Sequence, residues 1–105
     1  ILRWTGVRKF DTDSGECVGA WSDDHAHCWY SEPWFAPADG QQSEDHGYVV
    51  SFVWNARERT QQLQVFDALD ISRGPVPRVH LPQRVHAGFH PCWVKPGQIG
   101  PRRAP

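Results

Sequence analysis

Tyr48-Val49-Val50-Ser51-Phe52-Val53-Trp54, bounded by Gly47 and Asn55, is the stretch that decides the fold. Its side chains are almost all β-branched or aromatic. Such residues lose rotamer freedom against a helical turn but pack well on a pleated surface, so the run predicts a strand. On its C-terminal side, residues 55–60 form a charged connector, and Leu63, Val65 and Phe66 mark a return strand with partly regular alternation. Residues 68–74 read as a short turn or helical corner, and 76–81 as a further strand cut off by Pro82. On its N-terminal side lies a polar loop, 38–46 (ADGQQSEDH), preceded by a strand-like run over 29–36 that Pro33 interrupts. Proline has no N–H for a ladder, so Glu32-Pro33 marks a strand end, an edge or a bulge.

Nearer the start, 7–10 and 17–21 are strand-like runs around Asp11-Thr12-Asp13-Ser14-Gly15. That connector is built of turn formers, with Gly15 free to take a positive φ, and it predicts a hairpin. The last structured element is expected over 85–94 (VHAGFHPCWV), broken by Gly88 and interrupted by Pro91. Residues 95–105, with their prolines and glycines, are expected to be a flexible tail. Four antiparallel strands in about 50 residues, joined by short connections, match one propeller blade or a sandwich corner; the pattern does not separate the two.

Composition narrows the class. Only 39% of the 105 residues are hydrophobic, yet there are six Trp, five Phe and two Tyr. Disordered chains are poor in aromatics, so this is a folded β-structure with its apolar content in a few large rings. A single sheet of this size covers only one of its faces locally, which points to neighbours outside the stretch. The chain begins at Ile1 and contains no Met, and it is expected to be a piece of a longer protein. The net charge of −1 leaves no electrostatic footprint for nucleic acid, and no run approaches the roughly 20 apolar residues of a membrane span. Cys17, Cys28 and Cys92 form no CxxC pair and read as reduced thiols of a cytoplasmic protein.

No nucleophile elbow, phosphate loop or HExxH motif is present, so the chemistry rests on the histidines and the carboxylates near them. His25 and His27 would share a strand face, but two ligands do not make a metal site and the stretch reads as a solvated loop. His46 sits in an acidic loop, and His80 and His86 flank Pro82 as strand-edge polar residues. His90 stands between Phe89 and Pro91 with Trp93 close by, and is either a satisfied core histidine or a metal ligand. Glu32, between Tyr30 and Pro33-Trp34-Phe35, is either an exposed edge carboxylate or a buried acid with a partner.

Taken in order, the segments resemble the C-terminal end of the carotenoid cleavage oxygenases, a family that also contains stilbene-cleaving dioxygenases and retinoid isomerases. The matching pieces are Lys9-Phe10-Asp11 with Asp13-Ser14-Gly15-Glu16, Ser31-Glu32-Pro33-Trp34-Phe35-Ala36-Pro37, and Glu44-Asp45-His46-Gly47-Tyr48-Val49-Val50-Ser51. Val65-Phe66-Asp67-Ala68, Leu81-Pro82-Gln83-Arg84-Val85 and Gly88-Phe89-His90 follow. Each is weak alone; their order and spacing over about residues 4–94 are specific.

The resemblance implies an all-β fold: antiparallel blades from the C-terminal part of a seven-bladed β-propeller, incomplete in this chain, over residues 1–94. It implies ferrous iron, Fe(2+), held by four histidines, of which His90 is the last. Glu32 matches the carboxylate that accepts a hydrogen bond from the outward N–H of a ligand histidine, fixing its tautomer and direction. Pro91 departs from the family, where glycine or a small residue is usual, and proline stiffens the chain beside the ligand. The reaction implied is cleavage of an alkene in an apolar conjugated substrate by O2 to give two carbonyl products, with peripheral membrane contact, if any, through parts outside this chain. Two alternatives stay open: a propeller-type binding or scaffold module without metal, and a degenerate relative whose site Pro91 has spoiled. The 105-residue chain alone is expected to be inactive and to fold poorly by itself.

Overall fold

The computed structural model describes residues 3–23, 27–86, 88 and 90–100. Among them every strand pairing is antiparallel and there is no α-helix, only a 3-10 turn over Ile71–Arg73. The strands are β1 (Gly6–Phe10), β2 (Cys17–Ser22), β3 (Cys28–Tyr30), β4 (Trp34–Pro37), β5 (Gly47–Asn55), β6 (Thr60–Asp67) and β7 (Pro75–Leu81). β1 and β2 form a two-stranded ribbon, while β3, β5, β6 and β7 form the large sheet in that order, with β4 also on β5.

β3 and β4 are thus one edge row interrupted at Pro33, and the sheet is four rows wide, as the sequence predicts for a blade. The hairpin between β1 and β2 closes as expected, with Gly15 at φ 75. Asp11 stabilises that turn by accepting from the Asp13 and Ser14 N–H groups at 2.8 and 3.0 Å, and these bonds hold its carboxyl below the usual range.

The decisive strand, β5, sits in the middle and alternates between two faces. Val49, Ser51 and Val53 point to one face with Phe66, Gln64 and Gln62 opposite them. The ribbon and the 3-10 turn cover this face, and Val7, Cys28, Tyr30, Val53, Phe66 and Ile71 form its core with Trp21 and Val49 packed against it. Gly74 takes φ 86 where a Cβ would run into the Trp21 ring at 2.7 Å, so only glycine lets the chain turn beneath that tryptophan. A chain of polar contacts runs through this core: Trp21 Nε1–H donates to Tyr30 Oη at 3.4 Å, Tyr30 donates to Gln64 at 2.9 Å, and Gln64 donates to Gln62 at 3.2 Å.

The other face carries Val50, Phe52 and Trp54 with Leu63, Val65, Trp29 and Trp34 beside them. Arg3 lies over the Trp29 ring and Arg84 over that of Trp54, at 4.2 and 4.5 Å. Trp93, Lys95 and Pro96 help line a hollow of about 770 Å³ along this face. Tyr48 and Val79 remain about half exposed there, so one apolar face is covered and the other is left open, as the sequence predicts.

The stretch 85–94, expected as the last structured element, contains no strand in its described residues. Pro91 has no ladder donor, and the N–H of Val85 is taken by the buried Gln61 side chain, 3.1 Å away, rather than by a neighbouring strand. Residues 90–100 are exposed, with one turn in which Gln98 N–H donates to the Lys95 carbonyl at 3.1 Å.

Candidate functional site

The site begins with a change of register along the edge of the large sheet. Tyr30 is opposite Val53 and Trp34 is opposite Val50, so three residues, Ser31, Glu32 and Pro33, face only two, Ser51 and Phe52. That is a β-bulge, a device that bends a strand and re-aims a side chain. Pro33 fits because an unpaired residue at a bulge needs no ladder donor.

Glu32 is the residue the bulge turns outward. Its Oε2 accepts the main-chain N–H of His90 at 2.7 Å and lies 3.4 Å from the His90 Nδ1. The family resemblance pairs Glu32 with a ligand histidine without specifying which; the structure brings it against His90, 58 positions along the chain. The nearer partner is the backbone rather than the ring. His90 adopts φ 53, a left-handed conformation uncommon for a non-glycine residue, in which its N–H meets the carboxylate. A proline follows it, and X-Pro steps favour extended backbone, so this turn is held against local preference.

His90 is not a core histidine: its side chain is 88% exposed, because Pro91, Cys92 and Trp93 after it are themselves exposed. It lies at the rim of a mostly apolar cavity of about 420 Å³, with Trp4, Val7, Arg8, Glu32 and Pro33 among the other walls. The main-chain bridge between Trp4 and Tyr30 seals the outer edge of β3 beside this cavity.

The remaining candidates are scattered. His25 lies outside the described residues, and His27 is half-buried in a different, polar pocket. His46 accepts the Gln42 N–H on Nδ1 at 3.1 Å and serves its loop. His80 on β7 and His86 beyond it are exposed, as expected of edge residues. Among the described residues no group of three His, Cys, Asp or Glu could hold a metal. His90 offers a single imidazole; with a proton on Nδ1 facing Glu32, the lone pair falls on Nε2, which suits one ligand of a divalent metal and no more.

Two features escaped the sequence reading. Ser31 and Ser51 knit the bulge, and Lys9 Nζ joins Asp45 at 2.6 Å and the Ala68 carbonyl at 2.8 Å, clasping the ribbon to the large sheet. Ser51 offers a signal, the one small hydroxyl in a largely apolar strand, whereas nothing local pairs Lys9 with Asp45.

Comparison with known proteins bears on the same residues. The model of the retinal pigment epithelial membrane protein family matches residues 2–95. A chloroplastic 9-cis-epoxycarotenoid dioxygenase of Oryza sativa subsp. japonica is 35% identical over 99 residues, covering 90% of this chain. Isoeugenol monooxygenase of Pseudomonas nitroreducens is 36% identical over 87 residues, covering 73% of it. The chain spans 17% and 18% of the lengths of those two proteins. Among solved structures, the lignostilbene dioxygenase of Pseudomonas brassicacearum superposes with a TM-score of 0.79 at 26% identity, over 90% of this chain and 19% of that one. A mutant of the apocarotenoid oxygenase of Synechocystis does so with a TM-score of 0.75 at 25% identity, over 85% of this chain and 18% of that one. An all-β antiparallel unit covering about a fifth of each structure is consistent with part of a propeller. Matched along nearly its whole length by the family model and by these relatives, the chain belongs to the carotenoid cleavage oxygenase family.

Proposed function

We propose that this chain is the C-terminal part of a non-haem Fe(II) oxygenase that uses O2 to cleave a carbon–carbon double bond of an apolar conjugated substrate, a carotenoid, apocarotenoid or stilbene, giving two carbonyl products. The observation that carries this reading is the contact of Glu32 with His90, the two residues to which the family resemblance gives a role at the metal. His90 would be one of four histidine ligands, with the others outside this chain, and Glu32 would orient it. Bound iron would supply the activation of dioxygen. The chain's own residues hold one imidazole in place and wall an apolar cavity beside it with Trp4, Val7 and Pro33.

The open face of the large sheet supports the same reading, since a propeller blade packs both faces against neighbours. By this reading the 105 residues alone are inactive, because one histidine does not hold iron against water. The three free thiols fit a reducing compartment, which we take to be the cytoplasm. A second reading, a relative without iron, is favoured by one observation only: His90 holds a left-handed φ directly before Pro91.

The test is iron content per chain in the protein from the complete reading frame and in its His90→Ala variant. Near-stoichiometric iron that is lost on substitution is expected, and alkene cleavage should be lost with it. Little iron in both proteins would give the lead to the iron-free reading, and full iron in the variant would remove His90 from the site.

A further inference from the structure

The bulge that carries Glu32 is held by a hydroxyl exchange. In a regular antiparallel pair Ser31 and Phe52 would trade both main-chain hydrogen bonds. One is present: Ser31 N–H donates to the Phe52 carbonyl at 2.8 Å. The other is not made by the backbone. Phe52 N–H donates instead to Ser31 Oγ at 3.0 Å. The Ser31 carbonyl has left the ladder, and the Ser51 hydroxyl, wholly buried, donates to it at 3.0 Å. The Ser31 hydroxyl, 3.2 Å from Ser51 Oγ and 3.2 Å from the Glu32 carbonyl, keeps an acceptor for its own proton.

Each hydroxyl therefore replaces a main-chain group at the point where the strand leaves register. Without the Ser31 hydroxyl, Phe52 N–H would lose its acceptor, and the least costly repair is return of the Ser31 carbonyl to the ladder. That repair undoes the bulge and swings Glu32 away from His90. A buried donor left unpaired is costly enough to drive such a shift.

Resting on the iron reading above, we infer that Ser31 and Ser51 are positioning residues, which set the direction of the Glu32 carboxylate and through it the orientation of His90. Neither touches the reacting atoms. Their effect is on how well the histidine is presented to the metal.

The experiment uses the complete protein and compares wild type, Ser31→Ala, Ser31→Thr and His90→Ala. It reads Fe(II) affinity by competition with a chelator, the iron Mössbauer spectrum and thermal unfolding. Loss of outer hydrogen-bond partners costs metal sites about 10–100-fold in affinity. Ser31→Ala is expected to weaken Fe(II) binding by about tenfold and to change the spectrum, and Ser31→Thr, which keeps the hydroxyl, to restore both. Unchanged affinity and spectrum in Ser31→Ala, with iron lost in His90→Ala, overturns the positioning role and leaves the iron reading standing. Iron retained in His90→Ala overturns the iron reading itself. A loss in Ser31→Ala that Ser31→Thr does not restore also overturns the role of the hydroxyl. If Ser31→Ala does not fold, Ser51→Ala, which keeps the Phe52 bond to Ser31, is judged by its affinity and spectrum in the same way.

Discussion

Glu32 stands on a bulge between paired strands of the large sheet, whereas His90 stands on a segment with no ladder partner among its described residues. The residues flanking Glu32 are tied on both sides: Tyr30 is 4% exposed in the core, and β4 pairs with β5 from Trp34 onward. His90 is held from this chain by the carboxylate itself, and its neighbours 91–94 are exposed. The carboxylate's position is thus specified by the chain's own packing. The histidine's position is specified by contact with that carboxylate and, in the iron reading, by the metal. In that reading, a site assembled from a fixed acceptor and a less constrained histidine would let the metal complete the geometry.

The sharpest way to break this asymmetry is to collapse the core beneath the sheet. Phe66 is fully buried at the centre of the covered face, opposite Val49. Phe66→Ala leaves a cavity there and is expected to destabilise the folded protein by about 3–5 kcal/mol in denaturant unfolding. His90→Ala, removing an exposed side chain, should stay within about 0.5 kcal/mol in the absence of metal. Equal losses in the two variants would mean that the segment around His90 is as integral to the fold as the sheet.

The same asymmetry explains what was legible in the sequence. The strands were, because alternation and β-branching are local: 48–54 became the centre of β5, and Pro33 marked the break between β3 and β4. The family resemblance alone gave Glu32 and His90 a role, since local pattern left both with a bland alternative. Their contact with each other is seen only in the structure. The segment 85–94, expected as the last structured element, carries aromatic and β-branched content typical of a strand, yet its described residues form none. Pro91 offers no ladder donor, and Gln61 captures the Val85 N–H. The clasp of Lys9 on Asp45 was not legible at all, because nothing local in either segment marks a partner 36 positions away.

A thiol on each side of the comparison sharpens it further. Cys28 on β3 is 5% exposed, and burial, with the Asp23 carboxylate beside it, pushes its pKa up to about 11. Cys92, two residues beyond His90, is exposed. Because the thiolate is the reactive form, iodoacetamide at pH 8 should modify Cys92 about a hundredfold faster than Cys28 in the folded protein, as followed by peptide mass spectrometry. Comparable rates would show that the edge beside the bulge opens as readily as the segment carrying the histidine.

The smallest expected effect concerns the clasp between the ribbon and the loop before β5. Hydrogen bonds from Lys9, and secondarily from Ser43, hold the Asp45 carboxyl below the usual aspartate range. A carboxyl with a lowered folded-state pKa adds stability above its unfolded pKa and loses it as pH falls through the folded value. The clasp is therefore intact at neutral pH and weakens only below about pH 4. Both side chains are partly exposed, so screening keeps the contribution small. Asp45→Asn should remove this increment of acid sensitivity while leaving unfolding at pH 7 nearly unchanged, as read from thermal melts across pH 3–7. The ribbon residues Gly6, Val7 and Arg8 line the cavity at His90, so loosening the clasp acts on the histidine's side of the pair. The Ser31 and Ser51 bonds that seat Glu32 contain no titrating group. Acid should thus disturb the cavity wall before it disturbs the bulge, and the reverse order would mean that the ribbon, not the sheet, sets the carboxylate's position.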